Sequence, residues 1–340
     1  MSQIPQMITD ARVLRQGFVP GDLEHRDAET TYLSETLAPI ADGETPETVI
    51  MNGPSGAGKT CIAKYMGDQL RQEVLDAEFQ YVNCWQHYSR YRALHRILEG
   101  LGQTLDIHRQ STPRDELFER LRQYDGPPCV VVLDEVDQLE DTGLIYHLHE
   151  LPQFSMILIA NREEAVLRTM DERLTSRLTG SERITFEAYH EDELVSIMAA
   201  RIRWGLVENA IRDEQLRRIA DAAAGDARIA LSILRSAARR ADRANGERIT
   251  AEHIETAIPA GREEVRQKSL DTLTHHQRVL YTIIEEHGEI EPSPLYTAYR
   301  ERVEDPKSDR TVRNYLTKMA HYNLIVTDGT SRDRTYRIRE

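Results

Sequence analysis

The segment Gly53-Pro54-Ser55-Gly56-Ala57-Gly58-Lys59-Thr60 holds the residues best placed, by type and spacing, to do chemistry. It reads G-x-x-x-x-G-K-T, a pattern built to hold phosphate. Its glycines let the backbone turn tightly, so that successive N–H groups point inward at phosphate oxygens. Lys59 brings a point charge for the β- and γ-phosphates, and the Thr60 hydroxyl suits a place on Mg²⁺. The flanks agree. Thr48–Met51 is a short apolar run that suits a buried strand, and Cys61 begins the continuation Cys61–Met66, which reads as a helix whose positive end would meet the phosphate. A nucleoside triphosphate with Mg²⁺ is the expected ligand, ATP with ADP as its hydrolysis product.

Further acids and bases extend the site. Cys129–Leu133 is a continuous apolar run of the kind found in a strand buried on both faces, and it ends in Asp134-Glu135-Val136-Asp137. An acid there can hold Mg²⁺, which suits Asp134, and Glu135 beside it is the candidate general base for the attacking water. Acids that merely cap a loop would explain either motif taken alone. A third run, Ser155–Ala160, ends in Asn161, whose amide could position water or touch the γ-phosphate. Asn after a strand is also common turn chemistry. Arg177, in Arg173–Leu178, is the candidate arginine finger toward a neighbouring subunit's nucleotide. Arg228, opening a helix after Gly225-Asp226, is the candidate γ-phosphate sensor in cis. In so arginine-rich a chain a single Arg is usually ion-paired or solvated, so these roles rest on the order of the whole set.

The elements that must position these residues alternate. Asp27 to Ile40 reads as a helix, and apolar runs at Val49–Met51, Phe79–Val82, Val130–Leu133 and Met156–Ala160 lie between helical segments, with Ile184–Phe186 as a last strand. That order predicts an α/β core with a parallel sheet and flanking helices, residues 1–187. The strands then stop. Leu194 to Leu206, Leu216 to Ala223 and Ile229 to Ala238 carry helical spacing, which predicts a small helical lid, residues 188–262, with Arg228 on it.

Residues 263–340 change character again. Leu273 to His287 is an expected helix ended by Gly288, Pro292 and Pro294 break the chain, and Leu295 to Val303 and Asp309 to Tyr322 are two more. Leu324–Thr327 and Thr335–Ile338 then read as a hairpin with a long tip. Three helices and a hairpin describe a winged helix-turn-helix. Its third helix would enter the major groove of double-stranded DNA with Arg310, Arg313 and Lys318, and Arg332 and Arg334 would form the wing. Asp309, Asp328 and Asp333 nearby leave a protein-binding winged helix open.

The acidic residues number 57 against 43 basic ones, for a formal charge of −14. From Arg262 onward basic and acidic residues balance, so the first 261 residues carry the whole deficit. A neutral tail on so acidic a chain suits a region that meets a polyanion. Lys59, Lys64, Lys268, Lys307 and Lys318 are the only lysines. The acidic surface suits adaptation to a salt-rich cytoplasm, with a merely acidic mesophilic protein as the other reading. Cys61, Cys84 and Cys129 fit neither zinc spacing nor a secreted disulfide framework, and no signal pattern or membrane span is expected, so the expected location is cytoplasmic.

The ordered set GPSGAGKT, VVVLDEVD, ILIAN, RLTSRL and GDARIALSILRSA, followed by a winged helix, resembles the archaeal origin-recognition and helicase-loader family, AAA+ ATPases of the Orc/Cdc type. The segment Gly17–Arg26, with Val19, looks like the family's stretch that packs near adenine. By position, Tyr189 and Arg201 match a tyrosine and an arginine near the nucleotide. Tyr81–Trp85 continuing to Leu101 looks like the initiator-specific insertion, which in the family touches DNA, so Arg90, Arg92 and Arg96 are further candidates. The resemblance implies an ATP-dependent initiator that binds origin DNA, recruits or loads the replicative helicase MCM, and hydrolyses ATP slowly as a switch. Paralogous AAA+ subunits are the implied neighbours, and association with the nucleoid the implied setting. A plasmid or paralogous regulator without helicase loading, or an AAA+ adaptor with a protein-binding winged helix, are the other readings.

Overall fold

The structure is a computed structural model and describes residues 7–74, 76–104, 113–164, 172–329 and 334–339. The chain forms two compact units, Met1–Ala257 and Ile258–Glu340.

The first unit is organised around a sheet of five parallel strands in the order β2-β3-β4-β1-β5. In chain order its elements are α1 (Asp27–Leu37), β1 (Val49–Asn52), α2 (Lys59–Glu73), β2 (Glu78–Asn83), α3 (Arg90–Gly100), α4 (Arg114–Arg122), β3 (Cys129–Asp134), α5 (Gly143–His149), β4 (Phe154–Ile159), α6 (Glu172–Arg177) and β5 (Glu182–Thr185). All six residues of β3 and all six of β4 are buried. This is what a strand covered by helices on both sides requires. The period of two then divides the core. Val131 and Leu133 join a cluster with Leu94 and Ile97 of α3, Leu117 and Leu121 of α4, and Leu144 and Leu148 of α5. Val130 and Val132 face the other way, toward Leu33 and Leu37 of α1 and Ile62 and Met66 of α2.

Three departures from the sequence expectation have local causes. The first helix ends at Leu37 and tightens into a 3-10 turn over Ala38–Asp42, where Pro39 removes an N–H. The last strand is Glu182–Thr185, and Phe186 lies just beyond it, donating to Asn52 O at 2.7 Å. A further helix spans Ala251–Asp271, where the internal Pro259 and mixed polarity hide the helical period.

Four helices follow the sheet: α7 (Glu191–Gly205), α8 (Asp213–Ala223), α9 (Ala227–Arg243) and α10 (Ala251–Asp271), the last divided in sequence between the two units. No helix was expected at α10, because its interior carries Pro259 and a mixed polar pattern. Buried Leu216, Ile219, Ile233 and Leu234 give α8 and α9 their packed faces.

The second unit contains α11 (His275–His287), β6 (Glu289–Ile290), α12 (Pro292–Arg302), α13 (Asp309–His321), β7 (Ile325–Asp328) and β8 (Thr335–Ile338). The strands form an antiparallel sheet in the order β6-β8-β7, the element order of a winged helix. Pro292 and Pro294 do not precede α12 but build its first turn, where a missing N–H costs nothing. The two-residue strand β6 was not expected, being too short to show a period. Among the described residues no helix is long and apolar enough to cross a membrane.

Candidate nucleotide site

Strand β1 delivers the chain into the glycine loop and α2 leaves it, so Lys59 and Thr60 form the first turn of α2. Gly56 and Gly58 have positive φ, 76° and 98°, and neither has room for a side chain. A Cβ at Gly56 would lie 2.0 Å from Asp226 Oδ1, and one at Gly58 would lie 2.4 Å from the Tyr189 hydroxyl. The loop is therefore packed against two residues of the lid region, and only glycine permits that approach.

Lys59 is buried, 7% exposed, and its Nζ donates to Gly53 O at 2.6 Å, Pro54 O at 2.7 Å and Asn161 Oδ1 at 3.1 Å. Burial holds its pKa down at about 8, against the opposing pull of Asp134. Thr60 Oγ1 donates to Asp134 Oδ2 at 2.8 Å, and the Tyr81 hydroxyl donates to the same oxygen at 2.6 Å. Burial, then Asp134, pushes the Tyr81 pKa up, which keeps the phenol a donor. Glu135 follows Asp134 in the left-handed region, φ 58° and ψ 46°, a conformation that costs a non-glycine residue about 1 kcal/mol or more and sets its side chain apart from the strand's alternation.

The lid region closes the site from above. Asp226 caps α9 by accepting from the N–H groups of Arg228 at 2.8 Å and Ile229 at 3.3 Å, and its second oxygen pairs with the Arg228 guanidinium at 2.9 Å. Arg228 also donates to the Ser55 hydroxyl of the loop. Arg201 of α7, 6% exposed, donates to Val13 O at 3.4 Å and Phe18 O at 3.0 Å, with its guanidinium 4.8 Å from the Phe18 ring centre. Burial lowers its pKa. Arg201 thus pins the N-terminal segment to the lid. Arg26 spans from Glu29, at 2.8 Å, to the face of the Tyr189 ring, 4.4 Å away.

These elements enclose a cavity of about 260 Å³. Val19, Ser55, Gly56, Ala57, Gly58, Lys59, Thr60, Cys61, Asp134, Glu135, Asn161, Tyr189, Arg201 and Arg228 all line it. Gly53 and Pro54 do not reach the cavity wall and take part through the carbonyls that hold Lys59. Sequence reasoning missed Tyr81, which reaches Asp134 from β2, and Asp226, which caps α9. Asp226 had a signal in the Gly-Asp before α9, an N-cap pattern; Tyr81 had none, because it acts across strands.

Arg177 lies elsewhere. It is exposed, pairs with Glu150 at 3.2 Å and lies 4.5 Å from the centre of the Tyr146 ring, outside the cavity. The arginines of α3 are also engaged locally: Arg90 with Asp141 at 3.7 Å, Arg92 over Tyr88 at 5.0 Å and Arg96 with Glu99 at 2.8 Å. In the second unit Arg310 and Arg313 are exposed on α13. Lys318 is not: it is 9% exposed, because its position falls beside the inward Met319 and not on the outer stripe. That stripe runs Arg310, Arg313, Asn314 and Thr317, so Asn314 and Thr317 stand where Lys318 was expected. The i, i+3, i+4, i+7 spacing was the available signal. Arg334 is half-buried at the foot of β8, and Arg332 lies outside the described residues.

The sequence relatives agree with the order of these parts. Residues 44–168 match the AAA domain model and residues 195–259 the Cdc6 AAA+ ATPase-type lid domain model. The ORC1-type DNA replication protein 9 of Halobacterium salinarum is 54% identical over 330 residues, 97% of this chain and 93% of that protein. The chain belongs to the ORC1-type DNA replication proteins. A second member from the same organism, ORC1-type DNA replication protein 1, is 52% identical over 308 residues, 91% of this chain and the whole of that protein. The Aeropyrum pernix ORC1 protein, solved in complex with DNA, superposes with a TM-score of 0.77 at 25% identity, covering 98% of this chain and 93% of that one. The chain is therefore a DNA-replication protein with a nucleotide-binding AAA+ core.

Proposed function

We propose that this ORC1-type protein is an ATP-dependent initiator that binds double-stranded origin DNA and helps recruit or load the replicative helicase MCM. The observation that carries this reading is the single cavity walled by the glycine loop, the N-terminal segment and two lid helices. A ligand there touches both the core and the lid, so its γ-phosphate can set the angle between them.

In this reading Lys59 leaves the carbonyls of Gly53 and Pro54 for the β- and γ-phosphates. Thr60 and Asp134 fit Mg²⁺: two oxygen donors already 2.8 Å apart are a partial shell, to be completed by phosphate and water. Among the described residues no cluster of three or more acids, His or Cys could hold a metal alone, which agrees with an ion that arrives with nucleotide. The ion would neutralise phosphate charge. Glu135 orients and deprotonates the attacking water, Asn161 steers it, and Arg228, already bonded to the loop at Ser55, senses the γ-phosphate. Val19, Cys61, Tyr189 and Arg201 surround the base and ribose. Arg177, exposed outside this cavity, is placed to serve a paralogous subunit's nucleotide. Domain boundaries at residues 187 and 262 go with the same reading. Slow hydrolysis resets the switch.

Arg310 and Arg313, with Arg334 and the α3 arginines in support, supply DNA contacts. The second reading, an adaptor whose winged unit binds protein, is favoured by buried Lys318.

Fluorescence anisotropy on origin and scrambled duplexes in molar KCl, with ATP or ADP, tests the proposal. Origin preference that depends on nucleotide and is lost in Lys59→Ala supports it. ATP binding without DNA binding in any state moves the reading to the adaptor.

A further inference from the structure

Asp134 is held by more than its place at the end of β3. Thr60 Oγ1 and Tyr81 Oη both donate to its Oδ2, at 2.8 and 2.6 Å. Two donors on one carboxylate oxygen fix the plane of the group and present the other oxygen in one orientation. Tyr81 comes from the neighbouring strand: β2 and β3 run in parallel register, with Tyr81 opposite Val132 and Asn83 opposite Asp134. Its ring is held too, with Lys64 Nζ 4.3 Å from the ring centre. Asn83, two residues along β2, lies on the same face of the strand. Asn83 is itself immobilised, its Oδ1 accepting from the N–H groups of Trp85 and Gln86, both at 3.0 Å. Its carbonyl accepts from His87 N at 2.9 Å.

We propose that Tyr81 is a positioning residue for Asp134, aiming its carboxylate at the metal of the nucleotide site. The proposal rests on the reading of Asp134 as a metal-holding residue. Partners that hold a ligand's carboxylate from behind commonly govern its metal affinity.

The test is Tyr81→Phe, which keeps the ring and its contact with Lys64 and removes only the hydroxyl. Binding of a fluorescent ADP analogue to the full chain is measured in EDTA and across a Mg²⁺ titration, with thermal unfolding confirming the fold. The expected result is unchanged affinity in EDTA and a half-saturating Mg²⁺ concentration raised about tenfold. A Tyr81→Phe midpoint equal to wild type overturns the proposal. So does an equal loss of affinity with and without Mg²⁺, which marks general damage to the site. If wild-type affinity itself ignores Mg²⁺, the reading of Asp134 fails and takes the proposal with it.

Discussion

Lys59 shows how far a functional residue is held from its comfortable state. Its pKa is about 8 when folded against 10.5 unperturbed, and the cause is burial. The folded chain therefore binds fewer protons at this site than the unfolded chain between those pH values. Stability contributed by the site rises with pH across that window, and below it the buried ammonium costs about 3 kcal/mol. Comparing pH-dependent unfolding of wild type with Lys59→Met should show this slope in wild type only; parallel curves would refute it. Phosphate binding restores the charged form, so nucleotide binding at pH 9 should take up a proton. Calorimetry in buffers of different ionisation enthalpy reads that uptake directly. Gly56→Ala is the steric counterpart. Its Cβ meets the Asp226 carboxylate at 2.0 Å, so the lid must retreat. Expected effects are about 1–3 kcal/mol of lost stability and weakened nucleotide binding, with unchanged affinity counting against the tight loop–lid contact.

At the scale of elements, α9 depends on its cap. Asp226 satisfies two N–H groups of the helix and pairs with Arg228, so Asp226→Ala should cost about 1–2 kcal/mol in chemical denaturation. It should also release Arg228, whereas Asp226→Asn keeps the cap and separates the two effects. On α13 the exposed stripe sets a different expectation. Arg310→Ala/Arg313→Ala should weaken duplex binding and flatten its salt dependence by about one unit of slope per phosphate contact removed. Lys318→Ala should leave that slope as it was, because its ammonium does not lie on the stripe.

The whole molecule carries −14, placed on the first 261 residues, and its relatives at 54% and 52% identity come from Halobacterium salinarum. Self-repulsion on this surface should be relieved by salt, since a Debye length of about 3 Å at molar ionic strength uncouples neighbouring carboxylates. Unfolding followed against KCl should show stability rising from dilute buffer to molar salt. Full stability in dilute buffer would remove salt adaptation from the account. The same screening leaves little counterion-release gain for DNA binding, so at molar KCl discrimination between duplexes must come from base contacts and shape.

The chain's order of motifs was enough to set the α/β core, the lid and the phosphate-loop turn, because each depends on local rules. Glycine spacing makes a phosphate loop, a run such as Cys129–Leu133 makes a buried strand, and Leu216–Ala223 makes a helix face. The pattern was mute where an element is too short or too mixed to show a period, as at β6 and at α10 with its internal Pro259. It was also mute wherever a residue acts on another element. Tyr81 and Asp134 are 53 positions apart, and Gly56 meets Asp226 across the lid. Linear spacing carries no record of such meetings. Strand register and helix packing decide them, and they also decided that Lys318 turns inward while Asn314 and Thr317 face out.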